Sequence, residues 1–334
     1  MTSAAVGRRR PRRRESIVLP ITILLVVLAA VSLLAICFGT ASISLRSLFG
    51  GDAIARAIVF RLRVPRVCLA AAVGATLGVA GVTFQTLLRN PLADPFILGV
   101  SGGAACGAAV ATALGLSAIP GVVPAVAFAG ACGATAAVFL LARRRDHTDP
   151  VRLLLSGLVL NALFSSIILI AFSLSRQSDL TAALRWMMGT LFGATWNDVA
   201  LVGTLLVVSV AVLFWIANDL RMLAFGEEDA RSRGVDVERI KLVGFLTASI
   251  ATGAAVAVSG IIGFIGLIVP NLVRLAWRRD FRALLPLSAL AGATLVVASD
   301  LVSRVIVRSS ELPISAFTAV LGVPFFLSLL RKAR

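Results

Sequence analysis

The feature that most constrains this chain is a succession of apolar stretches, each about 20 residues long, separated by charged or turn-forming residues. A bilayer core of about 30 Å takes about 20 helical residues to cross, and in lipid each backbone N–H and C=O has to be satisfied within the protein. Such stretches cover 17–38, 64–88, 96–116, 119–142, 151–174, 198–217, 241–259, 261–277, 283–303 and 313–331. They predict an all-α, polytopic membrane protein with about ten transmembrane helices. The composition agrees: 59% of the 334 residues are hydrophobic and 14% charged, far from the mix of a soluble domain. Residues 1–16 read as a basic arm and 17–334 as one membrane domain with a cytoplasmic segment at 219–240.

The region 242–273 is a nearly continuous apolar run, interrupted by Gly253, Gly260, Gly263, Gly266 and Pro270. Basic residues flank both ends, Arg239 and Lys241 before it and Arg274, Arg278 and Arg279 after it. The positive-inside rule puts both flanks in the cytoplasm, which requires two short crossings rather than one long one. With that topology 23 of the 32 Lys and Arg residues fall on cytoplasmic segments, so both termini are expected inside. The arginines from Arg8 to Arg14 read as a topology determinant touching anionic lipid rather than a nucleic-acid site, and the first span as a retained anchor. Two sets of five spans would form an inverted repeat, although the halves show no match in sequence.

Several chemistries lack their residues. A phosphate-cradling G-x-x-x-x-G-K-[ST] loop is missing, and the two lysines, Lys241 and Lys332, stand in other contexts. Any ATPase is then another polypeptide, and no catalytic residue is assigned here. Cys37, Cys68, Cys106 and Cys132 sit singly in apolar stretches and read as small buried hydrophobes. His147 has no histidine partner, so no metal site is assigned. Mid-span carboxylates are scarce, since Asp198 and Asp300 fall toward outer span ends, which disfavours an ion-coupled secondary transporter. That alternative stays open, as does a membrane assembly protein.

The cytoplasmic stretch Gly226-Glu227-Glu228-Asp229-Ala230-Arg231-Ser232-Arg233-Gly234-Val235-Asp236-Val237-Glu238-Arg239 is the most informative for mechanism. Acids crowd its first turn and arginines its last, which suits the helix dipole, and Glu227/Arg231 and Asp229/Arg233 have (i, i+4) spacing. Gly234 is placed to end the helix in a left-handed cap and Asp236 to cap the next one. A rigid charged knob between two spans reads either as a solvated loop helix or as a coupling helix that docks on an ATPase.

Further segments carry a resemblance. These are Arg63-Val64-Pro65-Arg66, the run from Phe84 through Asn90-Pro91-Leu92-Ala93-Asp94-Pro95, Leu98-Gly99-Val100-Ser101-Gly102-Gly103, Gly263 to Pro270, and Glu311-Leu312-Pro313. In their order and spacing the chain resembles the FecCD-type permease family of importers for ferric siderophores, haem and cobalamin, from about residue 17 onward. The resemblance implies a subunit of the cell (inner) membrane that pairs with a second permease copy, identical or homologous. It also implies two ATP-binding subunits, which carry ATP and Mg, and a periplasmic or lipid-anchored binding protein that delivers the chelate, ferric siderophore being expected first.

By the same resemblance residues Gly226 to Val235 couple to the ATPase, and Asn90, Leu92, Thr148 and Asp149 border a cytoplasmic gate. Arg63, Arg66 and Arg304 receive glutamates of the binding protein, in which case Arg–carboxylate pairs set its register. Two alternatives are snorkelling of Arg63 and Arg66 to the headgroups and a local Asp300/Arg304 helix pair. The chain departs from the family pattern at Asn271 and Phe281, where histidine is common. Gly74/Gly78, Gly103/Gly107 and Gly189/Gly193 have the spacing that lets helices approach closely, and Asn161 is expected in an interhelical hydrogen bond.

Overall fold

A computed structural model describes residues 17–38, 53–144, 147–277, 280–306 and 312–332. The arginine arm, Arg278, Arg279 and Glu311 lie outside these residues. The described chain is almost wholly helical, as lipid burial of backbone polar groups demands. Its helices are α1 (Val18–Cys37), α2 (Ala53–Ile58), α3 (Val64–Leu87), α4 (Val100–Ala113), α5 (Val122–Ala142), α6 (Pro150–Leu174) and α7 (Gln177–Met187). They continue with α8 (Trp196–Trp215), α9 (Ala217–Phe225), α10 (Glu227–Ser232), α11 (Val237–Ser259), α12 (Ile265–Trp277), α13 (Phe281–Ile306) and α14 (Ile314–Lys332). A two-residue antiparallel ribbon, β1 (Arg143–Arg144) with β2 (His147–Thr148), joins α5 to α6.

Seven helical stretches among the described residues are long and apolar enough to cross a membrane, and 100–113, 265–277 and 314–327 are shorter apolar helices. These shorter ones fall on the third, eighth and tenth expected stretches. The long run does break, at residues 260–264, where Gly260 (φ +67°) and Phe264 (φ +68°) take left-handed backbone between α11 and α12. The second expected stretch starts earlier than residue 64: helix runs back to Ala53 through a π-helical turn at Val59–Arg63. The short amphipathic α7 was not expected, because Arg176, Asp179 and Arg185 mask its apolar side in a hydropathy reading.

α3 lies at the centre, buried along nearly its whole length, while α1, α6 and α8 turn large apolar side chains such as Leu25, Leu158, Leu169 and Val207 outward. Close approach is what small residues permit. A Cβ built on Gly74 would sit 2.2 Å from the Gly292 carbonyl oxygen on α13, and one on Gly107 2.4 Å from the Val126 oxygen on α5. The third glycine pair behaves differently: Gly189 and Gly193 belong to the α7–α8 loop, both at positive φ, so their spacing is not a helix contact. The four cysteines are only half-buried on helix surfaces rather than enclosed in the core.

Candidate functional site

The knob forms as its residue order requires. Gly226 (φ +150°) ends α9, and α10 carries Glu227, Glu228 and Asp229 in its first turn. Gly234 (φ +82°) closes it as a Schellman motif, in which the Val235 N–H donates to Ala230 O at 3.1 Å and the Gly234 N–H to Arg231 O at 2.9 Å. Asp236 Oδ1 then accepts the Arg239 N–H at 3.1 Å and starts α11. The expected Glu227–Arg231 pair is present at 3.6 Å. The expected Asp229–Arg233 pair does not form, because the helix ends at Ser232 and Arg233 has left helical geometry.

One face of α10 is open and the other is anchored. Phe225, Glu228, Asp229, Arg231, Ser232 and Arg233 are exposed, whereas Ala230 is fully buried and the Glu227 side chain is 18% exposed. Glu227 points at Lys241, which lies one turn into α11 and is itself buried. Lys241 Nζ sits 2.9 Å from Glu227 Oε2 and 3.3 Å from Glu238 Oε1, and donates to the Thr148 carbonyl at 2.6 Å. Its three N–H donors thus have three partners, the condition under which a buried ammonium is tolerable. Glu238 Oε2 accepts the Thr148 N–H at 2.7 Å, so both backbone groups of Thr148 are held by side chains one turn apart on α11.

Arg231 approaches Glu227 and Glu238, each at 3.6 Å, and Arg89 approaches Glu227 at 3.7 Å. The second expected gate residue on this side, Asp149, caps α6 through the Val151 N–H at 2.8 Å.

The other half of the expected gate is an irregular segment between α3 and α4. Arg89 takes positive φ (+48°), and Asn90 Oδ1 accepts the Leu92 N–H at 2.9 Å in an Asx turn. Side chains from other helices hold this segment. Asn271 Nδ2, on α12, donates to Pro91 O at 2.8 Å, and Asn161 Nδ2, on α6, donates to Phe96 O at 3.0 Å. Gln85 Nε2 meets Gly266 O at 3.1 Å and its Oε1 accepts from Arg274, which seats α12 against α3. Among the described residues no hydrogen bond or ion pair joins Asn90 or Leu92 to Thr148 or Asp149. What the two halves share is Glu227, reached by Arg89 from one side and Lys241 from the other.

The three arginines expected to dock a binding protein lie inside the protein, Arg63 at 7%, Arg66 at 9% and Arg304 at 4% exposure. Arg66 Nη2 and Arg304 Nη2 flank Asp300 at 2.8 and 3.0 Å. Arg304 also donates to Ala35 O at 3.2 Å, and Arg63 to Ile36 O and Cys37 O at 2.7 and 3.0 Å. The cluster therefore caps the carbonyl end of α1 and neutralises Asp300, which is fully buried. Beside it a cavity of about 680 Å³ is lined by Arg66, Trp186, Thr190, Phe192, Pro313 and Ile314.

Phe281 is buried at the start of α13. Glu238 falls at the end of the informative stretch without an expected role, and Lys241 reads in the sequence only as a basic flank; the one signal that could have raised them is their (i, i+3) spacing.

Residues 24–332 match the model of the FecCD transport family. The chain is 44% identical over 283 residues to a cobalamin import system permease protein of Halobacterium salinarum, covering 85% of this chain and 76% of that one. It is 37% identical over 336 residues to a hemin transport system permease protein of Yersinia pestis, covering 98% of each. A solved inward-facing structure described as a metal-chelate type ABC transporter superimposes with a TM-score of 0.84 at 30% identity, covering 93% of this chain and 98% of that one.

Proposed function

The chain belongs to the FecCD transport family, and from that premise we propose that it is the multi-pass permease subunit of an ATP-binding-cassette importer for a metal chelate. In this reading it has ten crossings with both termini in the cytoplasm, the three short apolar helices completing the seven long ones. It catalyses no reaction itself. A second permease copy forms the other wall of the path, two partner subunits bind ATP and Mg, and a binding protein delivers cargo from outside.

The observation that carries the reading is the knob from Gly226 to Val235. Its outward face offers exposed acids, arginines and Phe225 to a partner, and its inward face is tied by Glu227 to both halves of the expected gate. That geometry suits a lever: closure of the ATPases moves α10, and the Asn90–Leu92 and Thr148–Asp149 elements follow. On the outer side, use of Arg63, Arg66 or Arg304 for docking requires their release from Asp300 and the α1 carbonyls. Cobalamin and haem lead the cargo order over ferric siderophore, because the relatives named above are a cobalamin import permease and a hemin transport permease.

The test is uptake into proteoliposomes that hold the permease with its ATPase. Uptake of cyanocobalamin or hemin is expected only with ATP on the ATPase side and binding protein on the other. Uptake by the permease alone under an imposed proton or sodium gradient would overturn the reading in favour of a secondary transporter.

A further inference from the structure

The knob and the gate ribbon β1–β2 are far apart in sequence, yet one buried side chain ties them together. Thr148 is 1% exposed, and its own hydroxyl takes no part in the connection. Both of its backbone groups are engaged instead, the N–H by Glu238 and the carbonyl by Lys241. Lys241 simultaneously holds Glu227 of α10 at 2.9 Å. A short strand of two residues has almost no rigidity of its own. What fixes it is therefore this clamp from α11, whose ammonium can satisfy three acceptors only if α10, α11 and β2 keep their relative places.

From β2 the connection continues without a gap. Asp149 caps α6 immediately after the clamped residue, and on α6 Asn161 holds the Phe96 carbonyl of the irregular segment after Leu92. Chains of packed, hydrogen-bonded elements of this kind carry displacement when each link has discrete partners rather than loose contact. Loss of the ammonium would leave two carboxylates, Glu227 and Glu238, close to each other on mostly buried positions, with only Arg231 and Arg89 at more than 3.5 Å to offset them.

We propose that Lys241 is the positioning residue that locks the ATPase-facing helix α10 to the gate ribbon, so that α10, the start of α11 and β2 move as one body. The proposal rests on the coupling role given to α10 above. Glu238 is the second member of the lock, and Arg231 and Arg89 are supports at the rim. Lys241 makes its contacts through a point charge on a buried stem, so arginine can restore the charge but not the three-way geometry in full.

The experiment uses the permease in complex with its ATPase. Spin labels are placed on cysteines replacing His147 and Ser232, both exposed and neither one of the charged docking side chains, after Cys37, Cys68, Cys106 and Cys132 are changed to serine or alanine. Pulsed electron–electron distances are recorded without nucleotide and with ATP and vanadate. With Lys241 in place the 147–232 distance stays narrow and unchanged in both states. In Lys241→Met it broadens and differs between states, in Lys241→Arg it narrows part of the way back, and stimulation of ATP hydrolysis by the binding protein falls about tenfold in the methionine variant only.

A Lys241→Met distribution as narrow as the parent's, in a complex of normal size, overturns the proposal, as does a broadening that Lys241→Arg leaves uncorrected. The coupling role of α10 is read separately: Glu228→Arg with Asp229→Arg abolishes capture of the ATPase if α10 is the docking element. If capture survives, that role fails, while the Lys241→Met distribution recorded without nucleotide still reports the lock.

Discussion

Replacing Gly74 with alanine tests the packing that sets the whole bundle. A Cβ at that position would lie 2.2 Å from the Gly292 oxygen, 2.7 Å from the Gly292 carbonyl carbon and 2.9 Å from Val296 Cγ2. Real Cβ contacts do not fall below 3.0 Å, so α3 and α13 have to part by about 0.8 Å at that level. Two of the three obstructing atoms are backbone, and no rotamer change relieves them. A gap of about 0.5 to 1 Å forfeits a quarter to a half of the dispersion energy of each contact it opens. Overpacking of this kind costs about 1 to 3 kcal/mol.

The control is Gly133→Ala on α5, where an added Cβ meets nothing within 4 Å and the change removes a helix-weakening glycine, worth about 1 kcal/mol in the opposite direction. The assay is thermal inactivation in detergent, read as loss of the monodisperse peak, with both variants and the parent heated side by side. Gly74→Ala is expected to inactivate several degrees below the parent and Gly133→Ala at or above it. Equal midpoints for the two variants would refute the close α3–α13 approach.

Asp300→Asn removes the counter-ion of Arg66 and Arg304 while keeping volume, and a broken buried pair typically costs about 3 to 5 kcal/mol. A marked fall in the same inactivation midpoint is expected, and an unchanged midpoint would mean that the Asp300 pairs contribute nothing to holding α3 and α13 together. Gly234→Ala forces a side chain into left-handed backbone at φ +82°, costing about 1 to 2 kcal/mol at a site with open space around it. It should loosen the knob without shifting the inactivation midpoint by more than a degree or two, and show faster amide exchange confined to residues 226–236; exchange unchanged there would sink the Schellman reading. Asn161→Leu on α6 deletes the side-chain donor to Phe96 O and leaves that carbonyl only the local Gly99 N–H at 3.2 Å, so nothing from α6 holds it; protease or thiol access to the 92–99 segment should rise, and unaltered access would show that Asn271 suffices to hold it.

What the sequence determined by itself is everything that depends on neighbours along the chain. Twenty-residue apolar stretches made membrane helices inevitable, because lipid offers the backbone no other partner. The glycines of the 242–273 run located a helix break, Gly234 and Asp236 bounded the knob, and Glu227 with Arg231 paired across one turn, since each effect acts within about four residues. The Gly189/Gly193 pair shows the limit: the spacing was right, but these residues sit in a loop, and only the fold says whether a small residue meets a helix or a turn.

The tertiary structure alone decided the contacts between distant positions. Lys241 reaches Thr148 across 93 positions, Asn161 reaches Phe96 across 65, and Arg66 reaches Asp300 across 234. No periodicity encodes these partners, because they depend on which helix faces meet and how closely, and that closeness is set by glycines such as Gly74 and Gly81 buried against a neighbouring backbone. The same burial explains Arg63, Arg66 and Arg304. A charge tally along the chain placed them outward, whereas the helix crossing brought Asp300 and the open carbonyls of α1 within hydrogen-bonding reach, and a guanidinium in a low-dielectric surround takes partners of that kind wherever the fold provides them.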